Sequence, residues 1–195
     1  MPEVIPYRSV RQRTDNTAYI GMLIFLGSWA MMFAGLFFAY GAVRFHLRGW
    51  PPKGVPALPK LLPAANTVIL LASGLALQLG YLRIRAGKVH ELSAGLFVSL
   101  LLGCLFLGLQ FYYWVQVYRS GLRPDMGPYP SVFYALTTFH AAHVLVGLGA
   151  LAVLFWKSLE GVYSAPRHLP VRLWTMYWHF VDVVWLLMFA TVYVA

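Results

Sequence analysis

The chain has 195 residues, of which 60% are hydrophobic and 11% are charged, and its formal net charge is +9 at pH 7. A chain of this length with so little polar surface cannot be a water-soluble domain, so the composition indicates a protein that crosses a membrane several times. The positive charge does not indicate a nucleic-acid partner, because the basic residues flank apolar segments, where they meet anionic lipid headgroups.

Five apolar segments follow one another along the chain, and each holds the roughly 20 residues that an α-helix needs to cross the hydrocarbon core. They cover residues 18–40, 62–82, 92–115, 132–156 and 171–194. Strands of a membrane barrel are about ten residues long and alternate in polarity, so they do not fit these segments. The predicted fold is an all-α polytopic membrane protein, a bundle of five transmembrane helices.

The segments between the spans are short and rich in proline, glycine and basic residues, and the clearest breakers are residues 50–56 and 123–128. None could form a second domain. We therefore expect a cytoplasmic N-terminal tail over residues 1–17 and a single transmembrane domain over residues 18–195. The tail has no early apolar core and no small-residue cleavage site, so we expect no removable signal peptide.

Lysine and arginine are more frequent at the span ends on the N-terminal face than on the opposite face. The basic residues of the N-terminal face are Arg8, Arg11, Arg13, Arg83, Arg85, Lys88, Lys157, Arg167 and Arg172. The positive-inside rule then places the N-terminus in the cytoplasm and the C-terminus outside. On this face Arg83, Arg172 and Trp174 are expected to contact lipid headgroups.

Small residues recur at regular spacing in the first three spans and allow close approach between helices. They are Gly21, Ser28, Gly35 and Ala42 in the first span, Asn66, Ser73 and Gly80 in the second, and Gly95, Ser99 and Gly103 in the third. One interpretation is a seam for a partner subunit. We favour packing inside the bundle, because such stripes are ordinary in proteins with several spans.

The last span carries an imidazole and a carboxylate, His179 and Asp182, in the middle of an apolar run. An Asp at the centre of a spanning helix costs roughly 2.5 to 3.5 kcal/mol on insertion scales, so it needs a polar partner or a water-filled cavity. His140 and His143 share one face of the fourth helix. We expect these four residues to form one intramembrane polar cluster, in which an imidazole of the fourth helix lies close to His179 or Asp182.

Two other interpretations of this cluster stay open. Neutral imidazoles bind metals, so His140 and His143 could hold a metal or a haem, although the spacing is not that of a zinc protease. Asp182 could belong to a proton pathway with scattered polar groups such as Ser99 and Gln110. The single Cys104 allows no disulfide or multi-thiolate site within the chain. We expect a structural role for Asp182, and no catalytic, cofactor-binding or metal-ligating residue.

The spans also carry a family resemblance. Residues 177–185 (YWHFVDVVW) resemble the hallmark of the last helix of the cytochrome c oxidase subunit III family, and residues 138–147 (TFHAAHVLVG) are similar to its Gly-Phe-His-Gly-Leu-His-Val segment. Residues 108–114 (GLQFYYW), 21–28 (GMLIFLGS) and 66–71 (NTVILL) resemble parts of the three preceding spans. All five helices are thus covered in family order.

Two positions depart from the family pattern. Members commonly carry a Glu directly after the Gly-Ser of the first of these spans, where this chain has Trp29, and another before the Trp of the third, where it has Tyr113. Any family role of those two carboxylates is therefore in doubt for this chain. The departures are compatible with a divergent branch, such as the subunit-III-like partner of a nitric oxide reductase or of a quinol oxidase.

The resemblance implies an accessory role in a bacterial plasma membrane. It implies a non-catalytic subunit of a proton-translocating haem-copper terminal oxidase in aerobic respiration, whose haem and copper belong to subunits I and II. It also implies subunit I as the main contact, subunit II, small subunits or a respiratory supercomplex as further partners, and a structural phospholipid. An alternative from a different class is a free-standing small membrane carrier or metal-binding protein.

Overall fold

The computed structural model describes residues 7–46 and 59–194, with side chains from residue 15 onward. Five α-helices follow in chain order: α1 (Tyr7–His46), α2 (Leu61–Arg85), α3 (Val89–Arg119), α4 (Pro128–Leu159) and α5 (Leu169–Met188). A short π-helix, Phe189–Val194, continues α5. All five α-helices are long and apolar enough to cross a membrane, so the predicted fold class is confirmed.

The helices are longer than the apolar segments that predict them. α1 begins at Tyr7, so the helix starts within the segment that we expect to be a tail. The breaker at residues 50–56 lies outside the described residues, as do the side chains of Arg8, Arg11 and Arg13. The breaker at residues 123–128 covers the end of the connection between α3 and α4 and the first residue of α4, Pro128.

α2, α3 and α4 end in the same way. The residue two positions past the last helical residue is a glycine with positive φ: Gly87, Gly121 and Gly161. The amide of the following residue then bonds back to the last turn, as Lys88 N does to Arg83 O at 3.0 Å. This glycine motif satisfies carbonyl groups that the helix leaves open and turns the chain sharply. The α2–α3 connection is therefore a tight hairpin.

α2 and α3 pack closely because small residues face each other. A Cβ added to Gly95 would lie 2.8 Å from Ala76 O and 2.9 Å from Gly80 Cα. Nearer the membrane centre, Ser73 Oγ donates to Ser99 O at 2.8 Å. The small residues of these two helices thus pack inside the bundle, as the sequence predicts.

α1 is attached differently. Among its described side chains only Phe33 and Tyr40 are buried, and the helix contacts α4 and α5. Gly21, Ser28 and Gly35 are exposed, and a Cβ added to either glycine would meet nothing within 4 Å. The expectation of internal packing is therefore wrong for Gly21, Ser28 and Gly35, because α1 uses aromatic rings to contact the bundle.

Trp178 of α5 lies at the centre of the bundle. Its indole Nε1 donates to Ser73 Oγ of α2 at 3.1 Å. A Cβ added to Gly103 of α3 would lie 3.0 Å from its ring, and one added to Gly147 of α4 would lie 2.7 Å from it. The large ring fills the space left by two absent side chains, so a single residue of α5 contacts three other helices.

Candidate functional site

Asp182 and His179 lie one helical turn apart on the side of α5 that packs against α2. His179 Nδ1 is 3.4 Å from Asp182 Oδ2, and His179 Nε2 is 3.0 Å from Oε1 of Gln78 on α2. Both ring nitrogens therefore lie close to oxygen atoms that can accept a hydrogen bond. The result is a polar chain, Asp182–His179–Gln78, that joins α5 to α2 within the membrane.

Gly74 of α2 makes room for this chain. The Asp182 carboxylate is buried directly against Gly74. A Cβ added at position 74 would overlap Asp182 Oδ2 and would lie 3.2 Å from Asp182 Cγ and 3.5 Å from His179 Nδ1. The absence of a side chain at this position is what lets a carboxylate fit between α2 and α5. Neither Gly74 nor Gln78 stands out from sequence alone, because their importance depends on which residues of α5 they face.

The two histidines of α4 lie elsewhere. The His140 ring packs against Trp185 and Phe106, with ring centroids 5.2 and 6.0 Å apart. The His143 ring packs against Trp29 of α1, with centroids 4.0 Å apart and the planes nearly perpendicular. In the described part of the chain, no hydrogen bond or ring contact joins either of them to His179 or Asp182.

The structure thus brings together His179 and Asp182 but does not join all four residues into the single cluster that we expect. The physical reason is the rotation of α4 and α5 about their axes. On α4, His140 faces aromatic rings of α3 and α5, and His143 faces α1. On α5, Asp182 faces α2. Spacing along one helix shows which residues share a face, but it does not show what that face meets.

The described residues contain no group of three or more His, Cys, Asp or Glu side chains that could hold a metal ion. Cys104 is exposed on α3. Among the polar residues considered for a proton pathway, Gln110 is buried in α3 and both polar atoms of its side chain lack a hydrogen-bond partner within the described residues. Ser99 pairs with Ser73, as described above.

The two positions that depart from the family pattern both hold buried or half-buried rings. Trp29 lies edge-on against His143. Tyr113 is buried in α3, with its ring 5.9 Å from that of Tyr193 on the π-helix. Aromatic packing therefore occupies both places where a carboxylate is common in the family.

The residues expected to contact lipid headgroups lie at one end of the bundle, where α2 ends and α5 begins. Arg83 Nε is 3.0 Å from Glu91 Oε2, and Lys88 also pairs with Glu91 at 3.0 Å. The Arg172 guanidinium lies 4.6 Å from the centroid of the Tyr19 ring. Trp174 packs edge-on against Tyr177. This end of the bundle thus carries more positive than negative charge.

The fold and these residues define a class: a polytopic helical membrane protein whose last helix ties the bundle together through Trp178 and through a buried Asp paired with a half-buried His. Residues 11–195 match the sequence profile of the family described as Cytochrome c oxidase subunit III. The chain therefore belongs to the cytochrome c oxidase subunit III family, which supplies the non-catalytic membrane subunit of haem-copper oxidases.

Individual relatives carry the same name. The chain is 34% identical over 176 residues to cytochrome c oxidase subunit 3 of Thermostichus vulcanus, covering 90% of this chain and 86% of that protein. It is 37% identical over 174 residues to that of Synechocystis sp., covering 89% and 73%. It is 34% identical over 179 residues to that of Equus caballus, covering 89% and 67%. The resemblance read from the sequence is confirmed.

Proposed function

We propose that this chain is subunit III of a bacterial, proton-translocating haem-copper terminal oxidase, where it supports the catalytic subunit during aerobic respiration. The observation that carries the proposal is the family match over residues 11–195, which includes the α5 segment that holds the bundle together. In this role the chain binds subunit I as its main contact and lies near subunit II. Haem and copper belong to those partners.

The interior of the bundle supports a scaffold rather than a reaction centre. Two indoles of α5 fix it to α2, since Trp178 donates to Ser73 and Trp185 Nε1 donates to Thr67 Oγ1 at 2.9 Å. Asp182 adds a third link between the same two helices through His179 and Gln78. We assign Asp182 a structural role, because the carboxylate sits in a fitted space and its neighbours are local partners.

A structural phospholipid belongs to the same proposal. A groove of about 340 Å³ runs between α2 and α3 toward the membrane centre, lined by small residues such as Ala76, Gly80 and Gly95. Arg83 and Glu91 lie at its mouth, and Lys88 adds a further positive charge there. Basic residues at the end of an apolar groove suit an anionic headgroup with its acyl chain in the groove. Arg172 and Trp174 lie at the same level on α5.

The proposed location of the protein is the bacterial plasma membrane, with the N-terminus in the cytoplasm and the C-terminus outside. The basic excess on the N-terminal face supports this orientation through the positive-inside rule. Two of the relatives above come from bacteria. A larger respiratory supercomplex or small additional subunits are further partners compatible with the exposed faces of the bundle.

A second candidate is the subunit-III-like partner of a nitric oxide reductase or a quinol oxidase. The observation that favours it is the pair of aromatic replacements at Trp29 and Tyr113, which changes the polarity of two positions inside the bundle. The two candidates share the fold and the accessory role. They differ in what the whole complex consumes and in its electron donor.

One experiment tests both candidates. The tagged chain is purified in mild detergent from its own membranes, and the eluate is examined for haem absorbance and for gas consumption. Haem-containing companions with oxygen consumption driven by reduced cytochrome c are the expected result. Consumption of nitric oxide, or oxidation of quinol alone, would select the second candidate. A chain that elutes without haem-containing companions under conditions that preserve respiration would contradict both.

A further inference from the structure

The imidazole of His179 is exposed on the outside of the bundle at a depth where hydrocarbon would surround it. At 1.5 Å per residue, it lies about 10 Å along the helix axis from Arg172, which we place at headgroup level, and therefore inside a hydrocarbon core about 30 Å thick. Its side chain is nevertheless 43% exposed. Ionisable residues in spanning helices almost always face the bundle interior or a water-filled cavity. His179 instead lies partly on the outer surface.

The polar chain on this surface is incomplete within the protein. Oε1 of Gln78 is used by His179, but the Gln78 amide nitrogen has no hydrogen-bond acceptor among the described residues. Oδ1 of Asp182 is buried and likewise without a donor in the described part of the chain. The Gln78 amide nitrogen at the surface and the buried Asp182 Oδ1 thus both lack partners, and in hydrocarbon an unpaired polar group is costly.

An apolar rim surrounds the polar spot. The residues that share its side of α2 and α5 are exposed leucines and a valine: Leu71, Leu75, Leu82, Val183 and Leu186. A polar centre enclosed by apolar side chains is the pattern of a site that becomes desolvated on contact with a partner. We call this surface, from Leu71 to Leu82 on α2 and from His179 to Leu186 on α5, the His179 face.

We propose that the His179 face is the docking surface for a transmembrane helix of another oxidase subunit, which presents a hydrogen-bond acceptor to the Gln78 amide. The inference rests on the proposed function, since that function supplies the partner subunits. Lipid acyl chains offer no acceptor, and the headgroup level that we assign to Arg83 lies about 7.5 Å farther along α2 than Gln78, beyond hydrogen-bond reach. The side chain of His179 is too short to carry its ring to the membrane surface, as lysine and arginine do.

A photo-crosslinking amino acid placed at single positions in the intact oxidase, within native membranes, tests this surface. Leu75 and Val183 flank the polar spot and are 61% and 53% exposed, and Val153 on α4, 54% exposed, is the matched control. The expected result is a protein adduct from Leu75 and from Val183 with the same neighbouring subunit, at a residue inside one of its spans. Val153 should give no adduct with that residue.

Substitutions that leave the Asp182–His179 pair intact provide a second test. Leu75→Trp obstructs the surface and Gln78→Leu removes the amide, so both should weaken retention of the chain in the detergent-purified complex by about tenfold, the loss expected for a central interface residue. Val153→Trp should leave retention unchanged.

Two results would overturn the docking surface while sparing the proposed function. Both apply to an oxidase that purifies with its haem. In the first result, the crosslinkers at Leu75 and at Val183 form adducts with lipid and with no protein. In the second, Val153→Trp causes loss of the chain from the complex and Leu75→Trp does not. A wild-type chain that purifies without haem-containing companions would instead refute the proposed function, and the docking surface with it.

Discussion

Gly74→Ala tests the fit between α2 and the buried carboxylate. The added methyl group would overlap Asp182 Oδ2 and lie 3.2 Å from Cγ, so the carboxylate has to move away from a space enclosed by α2 and α5. Overpacking of this kind costs roughly 1 to 3 kcal/mol. Loss of the bond to His179 adds about 0.5 to 1.5 kcal/mol. Ala gains at most about 1 kcal/mol over Gly in helix propensity.

The unfavourable terms therefore win, and we expect a net destabilisation of about 0.5 to 3.5 kcal/mol. For a chain of this size that corresponds to a fall of roughly 1 to 14 °C in the midpoint of thermal unfolding. The assay is the temperature at which half of the chain is lost from the soluble fraction of detergent-solubilised membranes. Gly108→Ala on α3 is the control, because a Cβ there meets nothing within 4 Å and should be neutral or slightly stabilising.

A double-mutant cycle assigns the cost to the carboxylate. If the methyl group at position 74 is harmful because it displaces Asp182, then Gly74→Ala should cost much less in a chain that already carries Asp182→Ala. An equal cost in both backgrounds would refute the reasoning. So would a Gly74→Ala chain that melts at the same temperature as the Gly108→Ala control.

Three further variants probe the same helices. Asp182→Asn should leave electron flux and proton pumping near normal. Asp182→Ala leaves a polar partner unsatisfied at a cost of about 1 to 3 kcal/mol, so it should loosen the chain from the complex. A fully assembled Asp182→Asn variant with reduced pumping would show a proton-handling role. Trp178→Phe removes the bond to Ser73 and also leaves a cavity against Gly103 and Gly147, so the assay above should report a loss larger than the roughly 0.5 to 1.5 kcal/mol of the bond alone. Gly95→Ala should be more harmful than either glycine variant above, because its methyl group meets the α2 backbone, which cannot rotate aside; an unchanged melting temperature would contradict the close α2–α3 packing.

The existence and order of the helices follow from the sequence, because runs of about 20 apolar residues have no other stable form in a bilayer. The importance of the α5 segment YWHFVDVVW can also be predicted from the sequence, because a carboxylate in an apolar run needs a polar partner. The residues that Asp182 and His179 contact on α2 cannot be predicted from the sequence. Gln78 and Gly74 acquire their roles because α2 presents them to α5, and no local pattern on α2 marks that side.

Rotation of a helix about its axis is hard to read from a membrane sequence for a physical reason. Lipid chains are as apolar as leucine, so hydropathy does not separate the packed side of a helix from the lipid side. The small residues of α1 illustrate the difficulty: their spacing resembles that of α2 and α3, yet Gly21 and Gly35 face outward. The same uncertainty applies to His140 and His143, whose shared face turned out to meet aromatic rings.

The two departures from the family pattern change how charge is distributed across the bundle. Where a Glu is common, Trp29 packs against His143 and Tyr113 packs against Tyr193, so rings fill those volumes without a carboxylate. Asp182 is then the one acidic residue deep within the described spans, since the other described acids lie in connections or near the ends of the apolar segments: Asp15, Glu91, Asp125 and Glu160. Its partner His179 reaches the outer surface beside Gln78. The buried carboxylate of the described spans therefore borders the His179 face. A carboxylate at the position of Trp29 would instead lie at the contact between α1 and α4.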